Sequence, residues 1–201
     1  MIRKEKLEKL KQIVEELKVV EIKEKNIKEE DKFLKSKAFD FKLNNGIIIP
    51  REQLIKGKND GSAVIIMPIL NNNEVITVIE PRVFTDLTVG IGFPAGYIEN
   101  FESKETAALR ELKEETGYVP TKPLHYIDSF YQDEGFSAAL NHLFIADGCL
   151  KKFDQKLDKD EVVRYLTFTY DELFELEKLG YIKGCNSKLL LEKSKTYMKG
   201  R

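Results

Sequence analysis

Leu7, Leu10, Val14 and Leu17 recur among lysines and glutamates at the spacing of one helical face, which predicts an amphipathic helix of roughly four or five turns near the start of the chain. A stripe of that kind has to be covered, either by its own domain or by a second copy of the chain, and the pattern leaves both open. Residues 18–56 then give short strand-like runs, "VVEIK", "AFDFKL" and "GIIIP", with "NNG" as a turn signal, and predict an antiparallel N-terminal sheet. The nearly continuous apolar run "GSAVIIMPIL", the turn "NNN" and the alternating "EVITVIE" predict a core hairpin. Strand-like "VGIGF", "LHYIDSFYQ", "NHLFIADGCL" and "VVRYLTF" follow, with the polar stretch "KKFDQKLDKDE" before the last. "YDELFELEKLG", closed by Gly180, and "SKLLLEKSKTYM" read as helices. The order is strands first, one helix in the middle and helices last, with no internal repeat or low-complexity tract.

Composition narrows the class of protein. With 201 residues, 42% hydrophobic content and a net charge of -1, the chain has room for one core, with an appended arm at most. Balanced charge offers no global field for a nucleic-acid backbone, so nucleic acid is not an expected partner. Cys149 and Cys185 are too few and too unpatterned for a disulfide framework or a thiolate metal site, which fits a reducing cytoplasm. No segment approaches membrane-spanning length, so a membrane is not an expected partner either.

The middle helix carries the chemistry. It lies in "FPAGYIENFESKETAALRELKEETGY", where "PAG" makes a tight turn, Ser103 is placed to cap the helix and Gly117 to end it. At about 100° per residue Glu111, Glu114 and Glu115 share one ridge, while Leu109 and Leu112 are expected to face the core. Ala107 and Ala108 leave room for close approach one turn earlier. Like charges at this spacing oppose helix formation by roughly 0.2 to 0.5 kcal/mol per pair, a cost that a solvated acidic face tolerates and a cation would remove.

The complete pattern is Gly96, five residues, Glu102, seven residues, Arg110-Glu111-Leu112, one residue, Glu114-Glu115, one residue, Gly117 and Tyr118. It resembles the Nudix box of the Nudix hydrolases, with Tyr118 where an aliphatic residue is usual. The resemblance implies an α/β (α+β) fold, an α/β/α sandwich around a mixed sheet, plus a strand-rich N-terminal arm. It also implies Mg²⁺, or Mn²⁺, held by Glu111 and Glu115, with Glu114 assisting directly or through water and the carbonyl of Ala95 completing the shell. Gly96, Glu102, Arg110 and Gly117 are then the structural positions that hold loop and helix in register. The chemistry suits the residues: attack of water on a phosphorus ringed by negative oxygens needs charge neutralisation, and Mg²⁺ takes carboxylate, water and phosphate oxygens in an octahedral shell.

Outside the box, "REQLIKGKNDGSAVIIMPIL", "FPAGYIE", "SFYQDEGFS" and "DKDEVVRYLTFTYDEL" look like the ADP-ribose pyrophosphatase group. That resemblance implies a split into residues 1–56, a helix and strand arm used for dimerisation, and 57–201, the Nudix hydrolase domain. It implies a homodimer that hydrolyses ADP-ribose or another nucleotide sugar in the cytoplasm. The alternatives are hydrolysis of nucleoside triphosphates or dinucleoside polyphosphates, or a catalytically silent nucleotide sensor. Two positions depart from the group: Glu134 stands where a proline is typical, and Gly92 where a glutamate is frequent. For the general base the resemblance favours Glu161 in "LDKDEVVRYL", with Asp158 and Asp160 nearby and Glu134 competing. Arg82 sits at a substrate-binding position and reads equally well as a surface ion pair. His125 and His142 read as structural, and Tyr131 and Phe136 as base-stacking rings or loop packing.

Overall fold

The computed structural model describes residues 2–57 and 60–201. Lys58 and Asn59, inside one of the runs quoted above, lie outside the described residues. The amphipathic stripe forms α1 (Lys4–Leu17). Its Leu10 and Leu17 are buried in the main core, with Leu7, Ile13 and Val14 packed against it, so the helix is covered by its own chain. Lys6 adds ion pairs to Glu74 at 2.6 Å and Glu172 at 3.2 Å.

The segment "VVEIK" forms no strand: residues 18–28 have no regular structure, and Val20 and Ile22 are exposed. Its alternation is real, but it joins neither sheet, and the Val19 N–H is met by the Thr88 hydroxyl at 3.0 Å rather than by a neighbouring strand. β1 (Leu34–Lys42) and β2 (Ile48–Lys56) make a separate antiparallel hairpin in which Leu34 pairs with Lys56 and Lys42 with Ile48. Gly46, at φ 86, supplies the left-handed turn residue in "NNG".

β3 (Ala63–Leu70) and β4 (Glu74–Pro81) form the expected core hairpin, and β5 (Val89–Gly92) pairs with β4. β6 (Ala95–Tyr97) pairs with β3 and leads into α2 (Lys104–Thr116). β7 (Tyr118–Val119), β8 (His125–Tyr131), β9 (Leu140–Lys151) and β10 (Arg164–Thr169) complete the strands. Among the described residues the main sheet has eight strands, with the order β10-β4-β3-β9-β7 along its main path. It is mixed, because β3 runs parallel to β9 and antiparallel to β4.

Side-chain alternation on the central strands creates the layers. Ile65, Met67 and Ile69 of β3, with Leu143 and Ile145 of β9, face a core that takes up α1, α3 (Tyr170–Lys178) and α4 (Cys185–Lys193). Val64 and Ile66, with Phe144 and Ala146, face Ala107, Ala108 and Leu112 of α2 on the other side. This is the expected α/β/α sandwich. The last predicted helix is divided: α4 stops before Ser194 and α5 (Lys195–Lys199) follows. Ser194 is buried, and its hydroxyl bonds to the Leu191 carbonyl and to Tyr170, which draws the chain off the helical path.

Candidate active site

The acidic helix is fixed at both ends by its own residues. The Ser103 hydroxyl accepts from Thr106 N–H at 3.1 Å, and Gly117, left-handed at φ 73, donates its N–H to the Lys113 carbonyl at 2.7 Å. Leu112, fully buried, anchors α2 on the sheet with roughly 2 kcal/mol of apolar burial. Leu109, expected beside it, is instead 42% exposed. Ala107, Ala108 and Leu112 make the contact with the sheet, and Leu109 lines a surface groove with Val119, Pro123 and Leu124.

The loop before α2 is shaped to the carboxylates. Bonds from Ile66 N–H to the Pro94 carbonyl and from Ile98 N–H to the Ser62 carbonyl put Ala95 at a non-bonded position opposite Ile65. The backbone groups of Ala95 therefore turn away from β3, and its N–H donates to Glu115 Oε2 at 3.3 Å. At Gly96 a Cβ would coincide with the carboxylate of Glu111, so only glycine admits that side chain.

Arg110 uses every N–H of its guanidinium. It binds Glu102 twice, at 3.0 and 2.9 Å, Glu111 at 2.7 Å, Glu114 at 3.2 Å and the Tyr97 carbonyl at 3.0 Å. These bonds tie α2 to β6 and to the loop between them, and raise the pKa of Arg110 further above its already high value.

Glu115 is 5% exposed, and burial, then Glu80 and Glu111, push its carboxyl well above the usual range. Burial pushes Glu111 up to about 7, against the pull of Arg110, with Glu114 and Glu161 adding to the rise. Burial also raises Glu80 against its bond to Arg82, which stands 2.5 Å away. Glu80, Glu111, Glu114, Glu115 and Glu161 all line one cavity of about 420 Å³. Negative charge packed this way is unfavourable until a cation enters. Among the described residues no three His, Cys, Asp or Glu side chains already stand as a ligand set, and Arg110 holds Glu111 and Glu114.

The loop after β9 is hung on the end of α2. Lys152 and Phe153 N–H donate to the Gly117 carbonyl, Lys156 N–H to the Glu114 carbonyl, and the Gln155 amide to the Glu115 carbonyl. Carbonyls that a helix end leaves free thus position the segment carrying Glu161. Glu161 lines the acidic cavity, and its Oε2 accepts from Asp158 N–H at 3.1 Å. Asp158 also lines the cavity, whereas Asp160 does not.

Glu134 is placed elsewhere. It lines a groove with Phe39, Phe41, Arg51 and Phe136, beside the N-terminal hairpin, and not the acidic cavity. Arg82 lines the cavity and is paired with Glu80. His142 bonds to Ser129 at 2.9 Å and His125 stacks on Tyr197, both structural arrangements. Tyr131 and Phe136 are exposed. The residue that sequence reasoning missed is Glu80. It is simply the polar end of an alternating strand, and only the tertiary structure brings it into the cavity with Glu115.

Residues 60–185 match the NUDIX domain family model. The chain belongs to the Nudix family, and its sandwich carries the Nudix box on the loop and helix just described. It is 35% identical over 165 residues to a protein named methanol dehydrogenase activator from Bacillus methanolicus, covering 80% of this chain and 83% of that one. It is also 35% identical over 139 residues to an ADP-ribose pyrophosphatase from Bacillus subtilis, covering 68% and 71%. A solved structure titled as an ADP compounds hydrolase superposes with a TM-score of 0.71 at 22% identity, covering 83% of this chain and 87% of that one, which establishes the shared fold. No helix among the described residues is long and apolar enough to cross a membrane.

Proposed function

We propose that the protein hydrolyses the pyrophosphate bond of a nucleoside diphosphate derivative, ADP-ribose or another nucleotide sugar, with a divalent cation seated by Glu111 and Glu115. The observation that carries this reading is the convergence of Glu80, Glu111 and Glu115 in one cavity, where burial first, and then repulsion from neighbouring carboxylates, Glu161 among them, raises all three carboxyl groups. The similarity to the Bacillus subtilis ADP-ribose pyrophosphatase supports the substrate class. The donor set suits Mg²⁺, with Mn²⁺ as a substitute: carboxylate oxygens of Glu111 and Glu115, Glu114 directly or through water, and the Ala95 carbonyl, which shares the orientation of its N–H. When bound, the cation supplies charge neutralisation at the phosphates and lowers the pKa of the attacking water.

The chain's own residues do the rest. Arg110 and Glu102 brace the loop against the helix, and Gly96 and Gly117 permit the turns that the brace requires. Arg82, released from Glu80, is placed to bind a phosphate oxygen. Glu161 takes the proton of the attacking water: it lines the same cavity from a loop outside the helix that carries the ligands, within reach of a base role.

The hairpin of β1 and β2 supports a homodimer. Phe39, Phe41, Ile47 and Ile48 are exposed on it, and it is joined to the domain at Leu54 N–H to the Phe136 carbonyl, 2.7 Å. We therefore read the hairpin, residues 34–56, as the dimerising part of segment 1–56, with 57–201 as the hydrolase domain. Two unpaired cysteines, Cys149 buried and Cys185 exposed, suit a reducing cytoplasm.

The test is turnover of ADP-ribose, other nucleotide sugars, dinucleoside polyphosphates and nucleoside triphosphates with Mg²⁺ or Mn²⁺, with products identified by chromatography. AMP and a sugar phosphate from ADP-ribose are expected. Turnover confined to triphosphates or dinucleoside polyphosphates replaces the substrate class, and binding without turnover makes the protein a sensor.

A further inference from the structure

The acidic cavity opens into a second one of about 370 Å³ that holds none of the α2 glutamates. Glu80, Arg82, Gln132 and Asn186 are among the residues that line both, so a ligand can extend from one into the other. Gly90 and Gly92 of β5 form part of its wall without side chains; a Cβ at Gly92 would land on the Ser187 hydroxyl. Residues 183–187, which lead into and begin α4, line it as well, with Ser187 packed against Gly92.

That first turn is unusually open. Its cap position is Gly184, which offers no side chain, and the first helical bond runs from Lys188 N–H to the Gly184 carbonyl at 3.1 Å. The N–H groups of Cys185, Asn186 and Ser187 precede that bond and have no helical carbonyl to reach. They stand at the positive end of the helix dipole. Independently, Ser187 is 7% exposed, yet its hydroxyl makes no hydrogen bond among the described residues. The oxygen itself is not closed off, so the hydroxyl is open to a ligand where it lies against Gly92 on the cavity wall. Lys183 and Arg82 also line the cavity, each paired with a carboxylate that lines it too, Asp86 and Glu80.

We propose that this second cavity is an anion subsite for a phosphoryl group at the far end of the substrate, so that the preferred substrates are nucleoside diphosphate derivatives whose second half bears a terminal phosphate. The free amides of α4 and the Ser187 hydroxyl bind its oxygens, while the diphosphate lies over the acidic helix. The proposal rests on the pyrophosphatase reading above. Free inorganic phosphate shares the same chemistry and is the other source of such an anion.

The experiment compares kcat/KM for ADP-ribose with that for ADP-ribose phosphorylated on its terminal ribose, using wild type, Ser187→Ala and Lys183→Ala, each checked for an unchanged melting profile. A calorimetric titration with inorganic phosphate accompanies it. Wild type is expected to favour the phosphorylated compound by about tenfold or more, and the ratio to fall about tenfold in Ser187→Ala, the loss of one charge-assisted hydrogen bond. Inorganic phosphate should bind wild type saturably and Ser187→Ala more weakly. A wild-type ratio near one overturns the substrate assignment, and if phosphate still binds through Ser187 the anion is the free ion instead. A preference that neither substitution changes overturns the subsite. If neither compound is hydrolysed, the pyrophosphatase reading fails, and the phosphate titration by itself decides the subsite.

Discussion

Gly96 and Glu111 claim the same space: the carboxylate of Glu111 sits where any Cβ on residue 96 would be. The loop and the helix are therefore one device, in which the absence of a side chain on one strand sets the position of a charge on the next element. Gly96→Ala is expected to leave the fold intact by circular dichroism and to displace Glu111 by an ångström or so. Such a misplacement costs about 10²-fold in turnover. Steady-state kinetics across a metal titration checks this, and undiminished kcat with unchanged metal affinity would remove Glu111 from the cation site.

Glu115→Gln should abolish turnover without loss of structure. Burial and the neighbouring Glu80 already favour the protonated form of this carboxyl, so a neutral amide of equal volume suits the metal-free protein at least as well. In chelator, the melting temperature of the variant is expected to equal or exceed that of wild type, by a few tenths of a kcal/mol in stability. Added Mg²⁺ should raise the melting temperature of wild type and not of the variant. A variant that keeps both turnover and the metal-induced shift removes Glu115 as a ligand.

Glu161 and Glu134 separate cleanly, because only Glu161 lines the acidic cavity. Glu161→Gln is expected to lower kcat by about 10² to 10⁴ while the metal-induced thermal shift stays as in wild type. Glu134→Gln should leave kcat within about threefold of wild type, since its side chain lies beside the hairpin. The reverse outcome would move the base to the loop following β8.

Cys149 sets a limit at alkaline pH. Burial pushes its thiol from 9.0 up to about 12, so the folded state keeps a proton that the unfolded chain releases. The sign follows from linkage: this contribution is fully present below pH 9 and is lost as pH rises through the folded value. Between pH 8 and 10 the stability of wild type relative to Cys149→Ala is expected to fall by about 1 kcal/mol, read from denaturant curves. A thiol reagent at pH 8 should modify Cys185, which is exposed, and reach Cys149 only on unfolding.

The hairpin predicts assembly. Replacing Phe39 and Phe41 with lysine removes exposed apolar rings from β1 without touching the sandwich core. Wild type is expected to sediment as a dimer at micromolar concentration and the double variant as a monomer with an unchanged far-ultraviolet spectrum. A monomeric wild type would sink the dimer.

The sequence by itself determined the elements whose residues carry their own instructions. Ser103 and Gly117 delimit α2 because capping and left-handed turns are local chemistry, and the alternation along β3 and β4 places the core hairpin because burial acts on every second side chain. The spacing of the Nudix box identified the acidic ridge for the same reason: all its members lie on one loop and one helix. Tertiary structure alone decided what depends on separate segments meeting. It brought Glu80 to Glu115, hung the Glu161 loop on the carbonyls at the end of α2, turned Glu134 toward the hairpin and set Ser187 against Gly92 on the wall of a second cavity. It left "VVEIK" unpaired and exposed Leu109, since a strand needs a neighbour and a helix face needs a surface opposite it. Neither requirement is written in the segment that has it.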